Sequence, residues 1–212
     1  MKVISLVGTV HEELGLATVS ALCAILQGIR PEVIFLEVPS EAFGDYYENC
    51  SRANLESRAV RQYRASYQVQ LVPVDLPTPQ REFFEDLEFM RMKLRDHSPE
   101  YRQLMDWDSA QVSSYGFAYL NSEHCSALWA NVNSEMLRAI ERIKDSRLSA
   151  IYDSWRDSLD VREEHMTKNI RTYCREHDFG KSAFLVGAAH RQPLIDKSGE
   201  QAVDDSTRIH WV

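Results

Sequence analysis

The sequence predicts an α/β fold, with a mainly parallel central sheet and a large helical insertion between the third and fourth core strands. Short β-branched runs bounded by Gly, Pro or Asp are the first sign. Helical periodicity between the early runs is the second. The third is a stretch of about a hundred residues, 79 to 177, that carries helical patterning and no strand.

The strand candidates are KVISLVG (2–8), EVIFLEV (32–38), VQLVPVD (69–75) and SAFLVGA (182–188). They read as almost continuously apolar, as strands buried on both faces do. Between the first two, Leu14, Ala17, Ala21, Ala24 and Ile25 recur at steps of three and four, so a helix is expected from Leu14 to Gly28, closed by Gly28 and Pro31. The segment 40–67 reads as one or two further helices. This βαβαβ order predicts right-handed crossovers. In the insertion, helix starts are marked by Thr78 before Pro79, Ser98 before Pro99 and Glu100, and Asn121-Ser122-Glu123. A short helix after His190 and a final strand TRIHWV complete a single domain of 212 residues.

Composition narrows the function classes. A net charge of -8 opposes broad binding to a phosphate backbone, so nucleic acid is not an expected partner. No apolar run approaches the roughly 20 residues that span a membrane, and MKVISLVGTVHEE lacks the features of a secretory signal. A cytoplasmic location is expected. Cys23, Cys50, Cys125 and Cys174 are widely spaced without a Cys-x-x-Cys pair, so they are expected to be reduced and mostly buried.

In open α/β sheets, ligands gather beyond the carboxyl ends of the strands. The first strand ends in Gly8-Thr9-Val10-His11, the second in Glu37, the third in Asp75 and the fourth in Gly187-Ala188-Ala189-His190. The spelling Gly-x-x-His therefore occurs twice. Gly8 and Gly187 allow close approach to a ligand or cofactor, while His11 and His190 aim toward one point. Imidazole and carboxylate together suit a divalent ion, with manganese, cobalt and zinc not distinguished, or act as acid and base without one. Glu37 is the sharper carboxylate because its strand is so apolar that it needs a partner. Asp75 reads as a turn cap, with orientation of a ligand as the alternative, and the sequence leaves open whether Glu12, Glu13, Asp75 or Glu163 joins the site. Arg162, Met166 and Ile170 share a helix face, which makes Arg162 an available partner for Glu37. Trp107, Tyr115, Phe117, Tyr119 and Trp129 read as helix packing. The remaining histidines are dispersed.

GTVH (8–11), FLEVP (35–39), REEHMTKNI (162–170) and FLVGAAH (184–190) resemble the TraB/PrgY/GumN family, grouped with Tiki-type proteases, erythromycin esterase and haem-binding ChaN proteins. The resemblance implies an α/β core with a helical insertion. It assigns activity to His11, His190 and Glu37, with Arg162 as the arginine of the late helix. Two departures stand out: Val161-Arg162-Glu163 replaces the family's Glu-Arg-Asn, and Thr9 stands where esterase relatives place a glutamate. The expectation is a metal-dependent hydrolase of peptide or ester bonds, with a small molecule or peptide as substrate and a homo-oligomer left open. The alternatives are a binding protein for haem or another small ligand, and a regulatory interaction module with a vestigial site.

Overall fold

The computed structural model describes residues 2–200 and 209–211. Five parallel strands lie in the order β3-β2-β4-β1-β5: β1 (Lys2–Thr9), β2 (Val33–Leu36), β3 (Gln70–Pro73), β4 (Lys181–Gly187) and β5 (Ile209–Trp211). The α/β class and the position of the insertion are as the sequence predicts. Of the expected last strand, residues 209–211 pair with β1; Thr207, Arg208 and Val212 lie outside the described residues.

Both faces of the sheet are buried, and strand alternation divides the core in two. Val7, Ile34, Leu36, Ala183 and Leu185 face one layer, which holds α1 (Val19–Ile29) and α2 (Leu55–Arg64). The same layer runs on into α3 (Arg81–His97), α4 (Pro99–Tyr115), α5 (Phe117–Leu120) and α6 (Glu123–Ile143). Ile4, Leu6, Val33, Phe35, Phe184 and Val186 face the other layer, covered by α7 (Ser146–Glu176) through Met166, Ile170 and Cys174, and by Leu194 of α8 (Arg191–Glu200). The insertion thus shares the main core with α1 and α2. The 31-residue α7 runs about 45 Å from that core, where it places Leu148 and Ile151, onto the opposite sheet face.

Several boundaries differ from the sequence reading. Leu14 and Ala17 form a small bridge across Gly15, which adopts φ 55, so α1 starts only after Thr18, whose side chain accepts from the Ala21 N–H. Arg30 rather than Gly28 takes the left-handed position at its end. Helix α3 opens after Gln80, without the Thr78 cap. Segment 40–64 forms a 3-10 turn (Ser40–Ala42), a π-helical turn (Gly44–Glu48) and α2. The caps at Ser98 and Ser122 occur as expected. All four cysteines are free, and three are buried.

The insertion is locked to the sheet at the first glycine turn. Asn121, between α5 and α6, accepts from the Gly8 N–H (2.7 Å) and donates to the Gly8 carbonyl (3.1 Å). A Cβ at Gly8 would lie 2.9 Å from the Leu120 carbonyl oxygen and 3.3 Å from Ala188 Cα. At Gly187 it would meet only Glu37 Oε2, at 3.5 Å, and His190 Cδ2, at 3.7 Å. Gly8→Ala is therefore expected to lower unfolding free energy by about 1–3 kcal/mol, measured by urea denaturation, with Gly187→Ala close to the native chain.

Candidate active site

Glu37 follows β2 directly, and its side chain is only 9% exposed. A carboxylate there must find donors. Oε2 accepts from the Gly187 N–H at 2.6 Å, and Oε1 accepts from Arg162 Nη2 at 2.7 Å. His190 Nε2 stands 3.4 Å from the same Oε1. Although burial opposes ionisation, His190, Arg162 and the Gly187 N–H together hold the Glu37 carboxyl below its usual range.

Each of these partners is held in turn. Arg162 also engages Asp75 in a fork, Nε to Oδ1 at 3.1 Å and Nη2 to Oδ2 at 2.7 Å. Asp75 is thus more than a turn cap, although it also accepts from the Leu76 N–H. His190 Nδ1 lies 2.9 Å from Glu163, which is 2% exposed. Glu163 pairs with Lys197 at 2.7 Å. The result is a row of alternating charge, Lys197, Glu163, His190, Glu37, Arg162 and Asp75, drawn from α7, α8 and the ends of β2, β3 and β4. Burial works against the His190 proton, but Glu37 and Glu163 outweigh it and raise the imidazole pKa.

His11 belongs to the other layer. Gly8 lies opposite Val186 and Thr9 opposite Gly187, so the two Gly-x-x-His spellings are one residue out of step. A one-residue shift exchanges strand faces. His190 accordingly meets α7, whereas His11 meets α2: its carbonyl accepts from the Leu55 N–H at 2.8 Å, and its Nδ1 lies 3.0 Å from Glu56 Oε1. The His11 side chain is 65% exposed; that of Glu56 is 8% exposed. The Thr9 hydroxyl sits 2.7 Å from Glu56 Oε1 and 3.1 Å from the Val186 carbonyl. The hydrogen bond to Glu56 is the main cause that pushes His11 up to about 9, with Glu37 adding attraction. Both histidines therefore feel Glu37, and both are held through Nδ1 by a helix glutamate.

Sequence reasoning brought together His11, Glu37, Arg162 and His190. It did not find Glu56 or Lys197, and it left the roles of Glu163 and Asp75 open. Glu56 looks like an ordinary first-turn acid of α2; only the fold reveals Thr9 and His11 against it. Its Oε2 is buried without a partner. Glu12 is exposed, and Glu13 caps Val19 and pairs with Arg58. Tyr47, in the π-helical turn, stacks on Phe43 at 5.4 Å, and burial with the field of Glu56 and Glu37 raises its phenol above the ordinary range. The backbone of Gly8 is taken by Asn121 and the N–H of Gly187 by Glu37, so neither group as placed is free to cradle a cofactor. In the aromatic set, Phe117 and Tyr119 are buried, and Trp107 and Tyr115 are exposed.

The donor set does not fit a divalent ion as it is arranged here. Both Glu37 oxygens hold protein donors, and His190 faces a carboxylate with each ring nitrogen, whereas a metal needs a neutral imidazole with a free lone pair. Among the described residues, no group of three or more His, Cys, Asp or Glu side chains is placed to hold a metal ion. No described helix is long and apolar enough to cross a membrane.

No family model matches the chain, and no curated protein matches it. A crystal structure of a Bacillus cereus protein aligns with 93% of this chain and 63% of that one, at 11% identity and a TM-score of 0.32. This chain thus spans less than two thirds of that protein's length.

Two outcomes follow from the charge row. Arg162→Ala removes the cation that two buried carboxylates share, leaving Glu37 with His190 alone, and is expected to cost about 3–5 kcal/mol, measured by urea denaturation. The second concerns pH. Glu37, with a lowered pKa, contributes stability that is present above 4.5 and lost as pH falls. His11, raised to about 9, contributes stability that is present below 6.5 and lost as pH rises toward that value. The denaturation midpoint should fall on both sides, and Glu56→Gln should flatten the alkaline fall.

Proposed function

We propose that the carboxyl edge of the sheet is the active centre of a hydrolase that cleaves a peptide or ester bond by histidine and carboxylate proton transfer. One observation carries the reading: the two Gly-x-x-His turns of adjacent strands bring both His11 and His190 within the field of Glu37, each imidazole held through Nδ1 by a glutamate. Clamping Nδ1 leaves Nε2 of the exposed His11 for a reacting group and turns Nε2 of His190 toward Glu37. The resemblance to the TraB group, which assigns activity to the same three residues and Arg162, agrees with it.

The roles divide by exposure. His11 is the histidine open to solvent, and Glu56 keeps it protonated at neutral pH. It acts as the general acid, delivering the Nε2 proton to the departing oxygen or nitrogen. Arg162, 24% exposed, presents positive charge to the oxygen that becomes negative as water adds to the carbonyl. Buried Glu37 and Asp75 hold that guanidinium in place, and Glu37, supported by His190, takes the proton that the attacking water loses, so that one proton enters at Glu37 as one leaves from His11. No step requires a metal.

The test is hydrolysis of p-nitrophenyl acetate and a labelled casein peptide mixture, with and without a chelator. Native protein should cleave at least one probe in chelator, His11→Ala should lose roughly a hundredfold or more in rate, and kcat/KM should fall as pH rises through about 9. Native activity on neither probe, or full activity in His11→Ala, removes the reading. Activity lost in chelator and restored by manganese or zinc replaces proton transfer with metal chemistry. A His11-dependent Soret band on haem addition replaces hydrolysis with ligand binding.

A further inference from the structure

The insertion carries a cavity whose residues take no part in the charge row or in the surroundings of His11. It opens between α4 and α6 with a volume of about 430 Å³, within the range of small-ligand sites. Glu100, Leu104 and Trp107 line it from α4, at steps of four and three along one helix face, and Asn131, Glu135 and Arg138 line it from α6 at the same steps. Its apolar part is Leu104 and Trp107. The indole is 44% exposed, and its ring is braced by Tyr119, edge to face at 6.0 Å.

The polar part is set by Glu135, which is 5% exposed and whose two oxygens differ. Oε1 accepts from Ser98 Oγ at 2.8 Å and from Arg142 Nη2 at 2.6 Å. Oε2 accepts no hydrogen bond among the described residues, yet, unlike the orphaned oxygen of Glu56, it is not enclosed. Arg138 Nε stands 3.6 Å from it and donates instead to the Ser134 carbonyl at 3.3 Å. The Arg138 side chain is 64% exposed, and among the described residues its Nη groups donate to nothing. Glu100 and Glu135 balance Arg138 and Arg142, the latter paired with both acids. A net cation would therefore meet two arginines here, and a net anion two glutamates. A zwitterion answers both signs, with one donor for the open carboxylate oxygen and one acceptor for the open guanidinium.

We propose that this cavity binds a free α-amino acid with an apolar or aromatic side chain. The ammonium donates to Glu135 Oε2, the carboxylate accepts from the Arg138 guanidinium, and the side chain lies against Trp107 and Leu104. Ammonium and carboxylate on one carbon are as closely spaced as these two protein groups. In an extended peptide the termini stand farther apart, by about 3.5 Å for each added residue. The site does not depend on the hydrolase reading.

Calorimetric titration of the full chain with L-phenylalanine and with L-leucine tests this. Native protein should bind at least one of them with a Kd at or below about 1 mM. The N-acetyl derivative of the tighter ligand, which lacks the ammonium, and its amide, which lacks the carboxylate, should each bind more weakly by roughly tenfold, the worth of one charge-assisted hydrogen bond. Arg138→Gln should weaken binding of the free amino acid by a similar factor and erase its advantage over the amide, which a loss of packing alone would not do. Trp107→Leu should weaken the free amino acid and both derivatives together. Arg147→Gln, at an exposed arginine on α7, should bind as the native chain does. The comparison of derivatives uses native protein alone, so it decides the matter should a variant not fold. Native protein that binds neither amino acid, derivatives that bind as tightly as the free amino acid, or an Arg138→Gln variant that binds undiminished, overturns the proposal.

Discussion

Placing a glutamate at the end of a strand as apolar as Val33–Leu36 is the constraint from which the site follows. Glu37 has almost no access to water, so its charge must be met by protein. The three groups that meet it come from different parts of the chain: the Gly187 N–H, the Arg162 guanidinium and the His190 imidazole. Each of the two cations would itself be stranded without an acid, and Asp75 and Glu163 supply them. Lys197 closes the row. With His190 protonated the six groups sum to zero, and they tie two helices to three strand ends. Such a network need add little net stability, since desolvation cancels much of its attraction, but it makes the relative placement of those elements hard to vary.

The strands were legible because a parallel sheet covered on both faces writes itself as unbroken apolar runs. His11, Glu37 and His190 were legible because strand ends of such a sheet are where chemistry gathers, and Arg162 because it leads the Met166 and Ile170 stripe. Glu56, Glu163 and Lys197 were not, for a common reason. Each is an ordinary helix acid or base by local pattern, and its meaning depends on which way its helix is turned against a strand far away in sequence. Glu56 meets Thr9 across 47 positions and Glu163 meets His190 across 27. Helix α7 shows the same limit at larger scale. Its pattern announces a helix, but nothing in it says that one end joins the insertion and the other covers the sheet.

The repeated Gly-x-x-His spelling invited a symmetric picture, with two equivalent imidazoles facing one point. The register of β1 on β4 breaks that symmetry. With a one-residue offset, one turn leaves toward α2 and solvent and the other toward α7 and the interior. What the two histidines share is the manner of their support, a glutamate on Nδ1, and the field of Glu37. What they do not share is access.

That offset bears on how such a chain can change over time. The inner histidine is bound into the charge row on which several elements depend, so its loss disturbs the architecture as well as any chemistry. The outer histidine touches the scaffold through its backbone carbonyl and one glutamate, and its replacement leaves the row intact. Descendants of this fold could lose His11 and keep the scaffold, but they could not easily lose His190 and do the same.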